Sequence, residues 1–152
     1  MATILKPAVQ PTSIAAPTEE LHTVVLLTSQ EVKALAATNI DLVPAPGAGL
    51  ALVPTMVVYS LDRNAAYDDA AADGDLILAY KTTQTALVTT QADGLIDAAA
   101  DIATVERPAV ADFVPEANTA IVLDNDGAEF TGDATHLNTL KVTVYYKIVP
   151  MT

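Results

Sequence analysis

The sequence predicts an all-β fold, a jelly-roll-like antiparallel sandwich with one short helix and an extended N-terminal arm. Segments rich in β-branched residues recur along the chain and are separated by turns of Pro, Gly, Asn and Asp. One capped stretch between two of these segments has the apolar spacing of a helix. The first twenty residues hold three prolines among small residues. We therefore divide the chain into an arm, residues 1–20, and a single domain, residues 21–152.

The composition fits one globular domain and excludes several classes of protein. Hydrophobic residues make up 51% of the 152 residues and charged residues 17%, which is too apolar for disorder. The chain has no cysteine, and this excludes disulfide scaffolds, thiolate zinc sites and cysteine nucleophiles. The formal net charge is −12, and no basic cluster offsets it locally, so we expect no nucleic-acid partner.

The N-terminal residues and the apolar runs carry no targeting signal. The start, MATILKPAVQ, has no continuous apolar core and does not match a secretory signal. The aliphatic run Val24–Leu27 is far too short to span a bilayer. We expect a protein that is assembled in the cytoplasm and has no membrane partner.

The N-terminal arm is predicted from its prolines. Pro7, Pro11 and Pro17 fix φ at their own positions and push the preceding residues towards extended geometry. Two interpretations are open, a frayed terminus or an arm that lies on a neighbouring subunit. The regular spacing of the prolines lowers the entropy lost on docking and slightly favours the arm.

A strand and a capped helix follow the arm. Residues 21–28 are predicted to form the first strand of the domain. Thr28 and Glu31 then match the capping box, in which a hydroxyl is followed three residues later by Glu. Apolar residues continue at helical spacing after this box, so the sequence predicts a short helix over residues 29–37.

A Pro/Gly corner separates the next two predicted strands. Residues 40–43 form the first, and residues 44–49, Pro-Ala-Pro-Gly-Ala-Gly, form the corner. Residues 50–61 are apolar at both alternating sets of positions, which predicts a strand buried on both sides, and in a small β domain the second side is often a subunit interface. Because proline cannot donate to a ladder, Pro54 predicts a bulge or an edge position.

The remaining elements give seven or eight strands in all, which favours a sandwich or jelly roll. Residues 140–148 alternate strictly between apolar and polar and predict a half-buried antiparallel strand. Residues 93–103 are open to two interpretations, a short helix capped by Asp93 or a short strand and loop. The other predictions are an acidic loop over 62–75, strands over 76–81, 85–90 and 119–123, a connection over 104–118 and a turn over 124–127.

Metal sites find little support in the sequence. His22 and His136 each lack a second histidine at i+2 or i+4, whereas a cupin-like enzyme needs clustered histidines and a carboxylate. We expect both on strand or loop surfaces. Asp124, Asp126 and Glu129 suggest calcium, but the glycine falls at the fourth position of this run and not at the sixth position that an EF-hand requires. A hairpin turn is the better interpretation, and a weak calcium site of another type stays open.

Enzymatic motifs are equally absent from the sequence. It contains no Gly-x-Ser-x-Gly and no phosphate-binding loop. Gly47-Ala48-Gly49 precedes a predicted strand and not a helix, which excludes a dinucleotide-binding turn. The aspartates have no aromatic surroundings that would bind a sugar, and tryptophan is absent. We expect no catalytic activity and no cofactor.

Two segments resemble a known family. One is LTSQEVKALAATNIDLVPAPGAG, which lies within residues 27–58, and the other is TGDATHLNTLKVTVYYKIV, residues 131–149. They are similar to small virion proteins of tailed bacteriophages, chiefly capsid decoration (cement or head-stabilising) proteins. Members show a capped turn before I-x-L-V-P-A-P-G-x-G and a Thr-Gly-Gly-Asp-type loop before the last strand. This chain has one glycine in that loop, Gly132-Asp133, and extra residues before Leu140.

The resemblance implies a structural role outside the capsid. It implies a homotrimer on the outer surface of a phage head, in the virion, with the major capsid protein and its own copies as partners and with no cofactor. The residues that we assign to capsid contact are Lys6, Pro7, Pro11 and Pro17, and those that we assign to subunit contact are Met56, Val58 and Tyr59. The alternative is the tip of a head fibre or tail fibre that binds a host surface receptor. Loops with few aromatic residues disfavour that alternative.

Overall fold

The computed structural model describes residues 3–6, 19–68, 74–90, 95–108 and 114–151. The described elements, in chain order, are β1 (Thr3–Lys6), β2 (Leu21–Thr28), α1 (Ser29–Lys33), β3 (Ile40–Val43), β4 (Leu50–Asp62), β5 (Tyr67–Asp68), β6 (Leu76–Tyr80), β7 (Ala86–Thr90), β8 (Ile102–Glu106), β9 (Ile121–Asn125), β10 (Thr131–Gly132) and β11 (Thr139–Pro150). No helix in the described ranges has the length and apolar character needed to cross a membrane.

The strands form two large sheets and one small one. The five-stranded sheet has the order β1-β2-β11-β4-β8, the four-stranded sheet has the order β3-β9-β6-β7, and β5 pairs with β10. Every strand pair in the described residues is antiparallel. The chain crosses between the large sheets six times: from β2 to β3, from β3 to β4, from β4 to β6 by way of β5, from β7 to β8, from β8 to β9, and from β9 to β11 by way of β10. The predicted all-β class with one short helix is confirmed.

The two large sheets bury their inner faces in one apolar core. Tyr59 of β4, Leu78 of β6 and Val142 of β11 are fully buried members of it. The Tyr80 hydroxyl of the four-stranded sheet donates to the Leu52 carbonyl of the five-stranded sheet and ties the sheets together. Each buried aliphatic or aromatic side chain of this kind stabilises the fold by about 1.5–3 kcal/mol.

The junction between the first strand of the domain and the helix agrees with the sequence-based prediction. β2 has the predicted bounds, and the capping box forms: Glu31 N–H donates to Thr28 Oγ1 (3.4 Å) and Thr28 N–H donates to Glu31 Oε2 (2.9 Å). The helix, however, ends at Lys33 and not at residue 37. Because Val32 and the following Leu35 are already buried in the core, the chain can turn towards β3 at once.

The predicted irregularity at Pro54 is confirmed as a β-bulge. Met56 pairs with Tyr145, but Pro54 pairs with Tyr146, so Thr55 is the extra residue on β4. In the described ranges β8 pairs only with residues 57–61 of β4, so around the proline β11 is the one described strand that pairs with β4. A residue without an N–H is tolerated in such a place.

The Pro/Gly corner before β4 is a turn, as predicted. Gly47 and Gly49 adopt positive φ angles of 107° and 74°, which favour glycine. Gly47 N–H donates to the Asn118 side chain (3.1 Å), and Met151 N–H donates to the Gly49 carbonyl (2.8 Å). The corner is therefore fastened to two distant parts of the chain.

Several predicted boundaries are wrong or too coarse. The sequence predicts a connection over 104–118, but β8 occupies part of it; its exposed Ala103 and Val105 alternate with half-buried residues, which gives an edge strand a weak apolar signal. β9 runs to Asn125, and the following turn leads to β10, which pairs with β5, so a hairpin here is wrong. The described strands outnumber the predicted seven or eight because β1, β5 and β10 are only two to four residues long.

Two predicted segments extend beyond the described residues. Leu95 and Ile96 in the ambiguous stretch are buried in the core, whereas Asp93 lies outside the described residues. Within the predicted arm, Thr3–Lys6 is extended and pairs with β2. The three arm prolines lie outside the described residues: Pro7, Pro11 and Pro17.

Candidate docking surface

The outer face of the five-stranded sheet carries adjacent apolar side chains from four strands. Val58 of β4 pairs with Val105 of β8 on one side and with Thr143 of β11 on the other, and Val24 of β2 continues this row beyond Thr143. Directly opposed residues of an antiparallel pair share a face. The neighbouring rows add three more residues, and we call the following set the apolar outer face: Val24, Leu26, Met56, Val58, Val105 and Tyr145.

Alternation along β4 decides which of its residues reach this face. Val58 and Ser60 point outward and are half-buried. Tyr59, which lies between them, points inward and is 0% exposed. Burial raises the pKa of the Tyr59 hydroxyl well above its usual range, although Thr90 offsets part of this effect. Met56 and Val58 therefore lie where another chain can touch them. The assignment of Tyr59 to subunit contact is corrected, because its side chain belongs to the core.

The apolar outer face has a basic and aromatic margin. Lys141 and Lys147 lie on the outward positions of β11, at either side of Thr143 and Tyr145. The Tyr145 ring lies 5.6 Å from the ring of His22, centroid to centroid, at an interplanar angle of 33°. These lysines are two of the seven basic residues in a chain of net charge −12. The face therefore differs in charge from the protein as a whole.

Buried polar groups gather at the loop end of the sheet, and we call this cluster the polar clasp: Ser29, Tyr67, Asp133 and Asn138. The Asn138 side chain accepts from the N–H groups of Asn64 (2.7 Å) and Ala65 (2.9 Å). It also donates to the Ala65 carbonyl (2.8 Å). The clasp thus fastens the loop after β4 to the loop before β11.

The Asp133 carboxylate is held ionised within the clasp. Burial acts to raise its pKa, but the hydroxyls of Ser29 and Thr135 and the N–H groups of Asn138 and Leu137 outweigh burial and lower the pKa to about 2. One carboxylate oxygen accepts from Asn138 N–H (3.1 Å) and the other accepts from the Thr135 hydroxyl (2.8 Å). A carboxylate so occupied by its own loop is suited to holding that loop, not to proton transfer.

The two histidines lie on the surface, as predicted. His22 is exposed on β2, and His136 is exposed in the loop before β11, where its Nδ1 lies 3.2 Å from Lys33 Nζ. Lys33 Nζ also donates to the Gly132 carbonyl (3.1 Å). Among the described residues, no three His, Cys, Asp or Glu side chains are placed to hold a metal ion.

The outer face of the four-stranded sheet holds a polar depression of about 430 Å³. Asp124 and Asp126 line it, together with Asn39 and Gln84. Asp124 accepts from Asn125 N–H (2.9 Å), and Asp126 accepts from Asp75 N–H (2.7 Å). Both carboxylates thus help to hold the turn after β9, and their arrangement gives no support to a calcium site.

Sequence reasoning missed four of the six residues of the apolar outer face and all of the polar clasp. The alternation in LHTVVLLT places Val24 and Leu26 on one side of β2, and this signal was available. β8 carries no comparable signal for Val105, because its half-buried positions include Thr104 and Glu106 while its exposed positions are apolar. The clasp has no such signal, because its members come from three separate segments of the chain: α1, β5 and the loop before β11.

Comparisons with protein-family models, with curated proteins and with solved structures find no match for this chain.

Proposed function

We propose that the protein is a structural virion protein, a trimeric capsid decoration protein that binds the outer surface of a phage head and stabilises it. The observation that carries the proposal is the apolar outer face, whose side chains are half-buried except for the exposed Val105, on a protein that is strongly acidic as a whole. Apolar area of this kind gains about 25 cal/mol per Å² when a partner covers it. Met56 and Val58 at its centre are the proposed subunit contacts.

The strand order supports a finer description of the fold as an eight-stranded jelly roll. The sheets β2-β11-β4-β8 and β3-β9-β6-β7, with chain crossings between them, have the order expected of two interlocked Greek keys. Jelly rolls recur in viral capsid proteins, lectins and cupins. One fold hosts several functions, so the strand order supports a virion role only together with the apolar outer face.

The N-terminal segment is the proposed capsid contact. Lys6 ends β1, the outermost strand of the five-stranded sheet, and the rest of the proposed contact follows it directly in the chain as Pro7, Pro11 and Pro17. A proline-spaced segment loses little entropy when it docks. Three copies of a weak contact on one trimer would reinforce one another through avidity.

The first experiment tests assembly and head binding together. Sedimentation velocity of the wild-type protein should show a trimer at micromolar concentration, and the trimer should cosediment with purified phage heads that lack it. Val58→Asp should dissociate the trimer, because it buries a charge at the apolar outer face. Thr89→Asp is the matched control, since Thr89 is an exposed strand position on the four-stranded sheet. A wild-type monomer, or heads that bind neither protein, would contradict the proposal.

The polar depression on the four-stranded sheet favours one alternative, a head-fibre or tail-fibre tip that binds a host surface receptor. A concave site with carboxylate and amide groups can hydrogen-bond to the hydroxyls of a glycan. Binding of the wild-type protein, but not of an Asp124→Ala variant, to a glycan array would support this alternative. If the wild-type protein bound no glycan on the array, the decoration role would be the single proposal.

A further inference from the structure

The edge of the five-stranded sheet is completed by a strand from the beginning of the chain. β1 pairs with β2 through Thr3 with Leu26, Ile4 with Val25 and Lys6 with Val24, with a register shift between Ile4 and Lys6. β1 is four residues long, and its pairing covers only the middle of β2. It occupies an edge that would otherwise present unpaired backbone groups.

The connection between these two strands is much longer than their pairing requires. Antiparallel neighbours are usually joined by two to five residues, whereas β1 and β2 are joined by the fourteen residues 7–20. From the position of Val24 to the start of β2 at Leu21 the distance along the strand is only about 10 Å. A proline-spaced chain of this length reaches about 40 Å. A domain of this size has a radius of gyration of about 15 Å, so the connection can reach across a neighbouring copy.

The end of the connection is fixed on the domain. The Thr55 hydroxyl at the β4 bulge donates to the Glu20 carboxylate, directly before β2 begins. The reach of the connection is therefore measured from a defined point on the five-stranded sheet. Its other end carries a strand that makes the same backbone pairs with β2 of its own chain or with β2 of another copy.

We propose that β1 is exchanged between copies, so that Thr3–Lys6 of one chain pairs with residues 24–26 of a second copy of this chain. The length of the connection between β1 and β2 is the reason for choosing a second copy as the partner, because pairing within one chain would need a much shorter connection. Pairing in cis and in trans makes equal contacts, and in an assembled ring the neighbour's β2 is present at a comparable effective concentration. If each copy gives its β1 to the next copy, the copies form a closed ring. The proposal rests on the self-association part of the proposed function and is independent of capsid binding.

The absence of native cysteine permits a direct test by engineered cross-linking. The double variant Thr3→Cys/Leu26→Cys places cysteines at paired positions of β1 and β2. After mild oxidation, exchange should give covalent dimers and larger rings on a non-reducing denaturing gel. The matched control is Leu26→Cys/Lys141→Cys, which pairs β2 with β11 and should migrate as a cross-linked monomer. Thermal unfolding of both reduced variants checks that they fold.

The outcomes separate exchange from the proposed function. A monomer band in which the engineered disulfide joins β1 and β2 of one chain would overturn exchange. Exchange would also be overturned if the cysteines at positions 3 and 26 stayed reduced while those of the control variant oxidised. Deletion of residues 1–6 should weaken self-association at least tenfold by sedimentation, and unchanged association would also overturn it. Covalent rings without head binding would support exchange and contradict the decoration role, whereas head binding without covalent rings would do the reverse.

Discussion

The polar clasp lies where β2 and β4 end and β11 begins, the apolar outer face lies further along the same strands, and the two regions use their side chains in opposite ways. In the clasp, Asp133 and Asn138 are buried and their polar atoms are spent on neighbouring loops. On the outer face, Val58 and Val105 are apolar and reach the surface. The polar residues of the clasp hold the fold, and the surface apolar residues are the proposed means of contact. A variant in one region should therefore change stability alone, and a variant in the other should change association alone.

The largest effect is expected from Asn138→Ala, which removes three hydrogen bonds and leaves the N–H groups of Asn64 and Ala65 without partners. Unsatisfied buried donors cost about 1–3 kcal/mol each, so the free energy of unfolding should fall by roughly 3 kcal/mol in a urea titration. Asn64→Ala removes one exposed hydrogen bond to the Leu137 carbonyl and is the milder control. Equal losses in the two variants would contradict a special role for the clasp.

A smaller and pH-dependent loss is expected from Asp133→Asn. The folded-state pKa is lowered from 3.8 to about 2, so the ionised carboxylate stabilises the fold fully above about pH 4. As pH falls from 4 towards 2 the wild type binds this proton and loses that stability, while the amide variant does not titrate. The difference in unfolding free energy between the two proteins, about 2 kcal/mol at pH 7, should shrink across this interval. A difference independent of pH would show that the carboxylate charge is not involved.

The apolar outer face is tested by two exposed apolar residues, one in each region. Val105 on β8 is 51% exposed, and Leu137 beside the clasp is 61% exposed. Val105→Asp should weaken self-association about tenfold, or 1.4 kcal/mol, because it buries a charge at the contact. Leu137→Asp should leave association unchanged in the same sedimentation experiment. If both variants associate alike, the apolar outer face is not the contact.

The smallest effect is expected where the two regions meet. Thr28 ends β2 and caps α1 through the capping box beside the clasp. Thr28→Ala should lower the free energy of unfolding by about 1 kcal/mol, the usual cost of a lost N-cap. Ring formation and sedimentation should not change. A shift in sedimentation would mean that the outer face extends further along β2 than Leu26.

Local chemistry explains what could be predicted from the sequence. β2, β4 and β11 are long and apolar on at least one side, the Thr28 cap is a local signal, and Pro54 indicates the bulge. The placement of Met56 and Val58 on a surface agrees with the idea of a strand with two apolar sides. The assignment of Tyr59 is wrong because adjacent residues of a strand point to opposite faces, so Tyr59 cannot share a face with Val58. Only the structure shows that the side of Tyr59 is the one that packs in the core.

The rest depends on distant parts of the chain. β5 and β10 are two residues each and exist only because Tyr67–Asp68 and Thr131–Gly132 meet in space. The clasp likewise brings Ser29 together with Asp133 and Asn138, which lie more than a hundred residues later in the chain. No periodicity marks such positions, since their partners are set by the crossing of strands between sheets.

The extra residue at Thr55 has one more consequence, for the shape of the protein. Pro54 and Val57 both point inward, and two residues, Thr55 and Met56, separate them. If Thr55 were deleted, Met56 alone would lie between them. Inward and outward positions would then alternate strictly, and the ladder with β11 would become regular. Shortening the chain here would leave every core residue in place. What would change is the bend that a bulge gives to its strand. The single extra residue Thr55 therefore bends β4. This bend contributes to the curvature of the protein surface on that side, and so to the curvature of a surface that would be complementary to it.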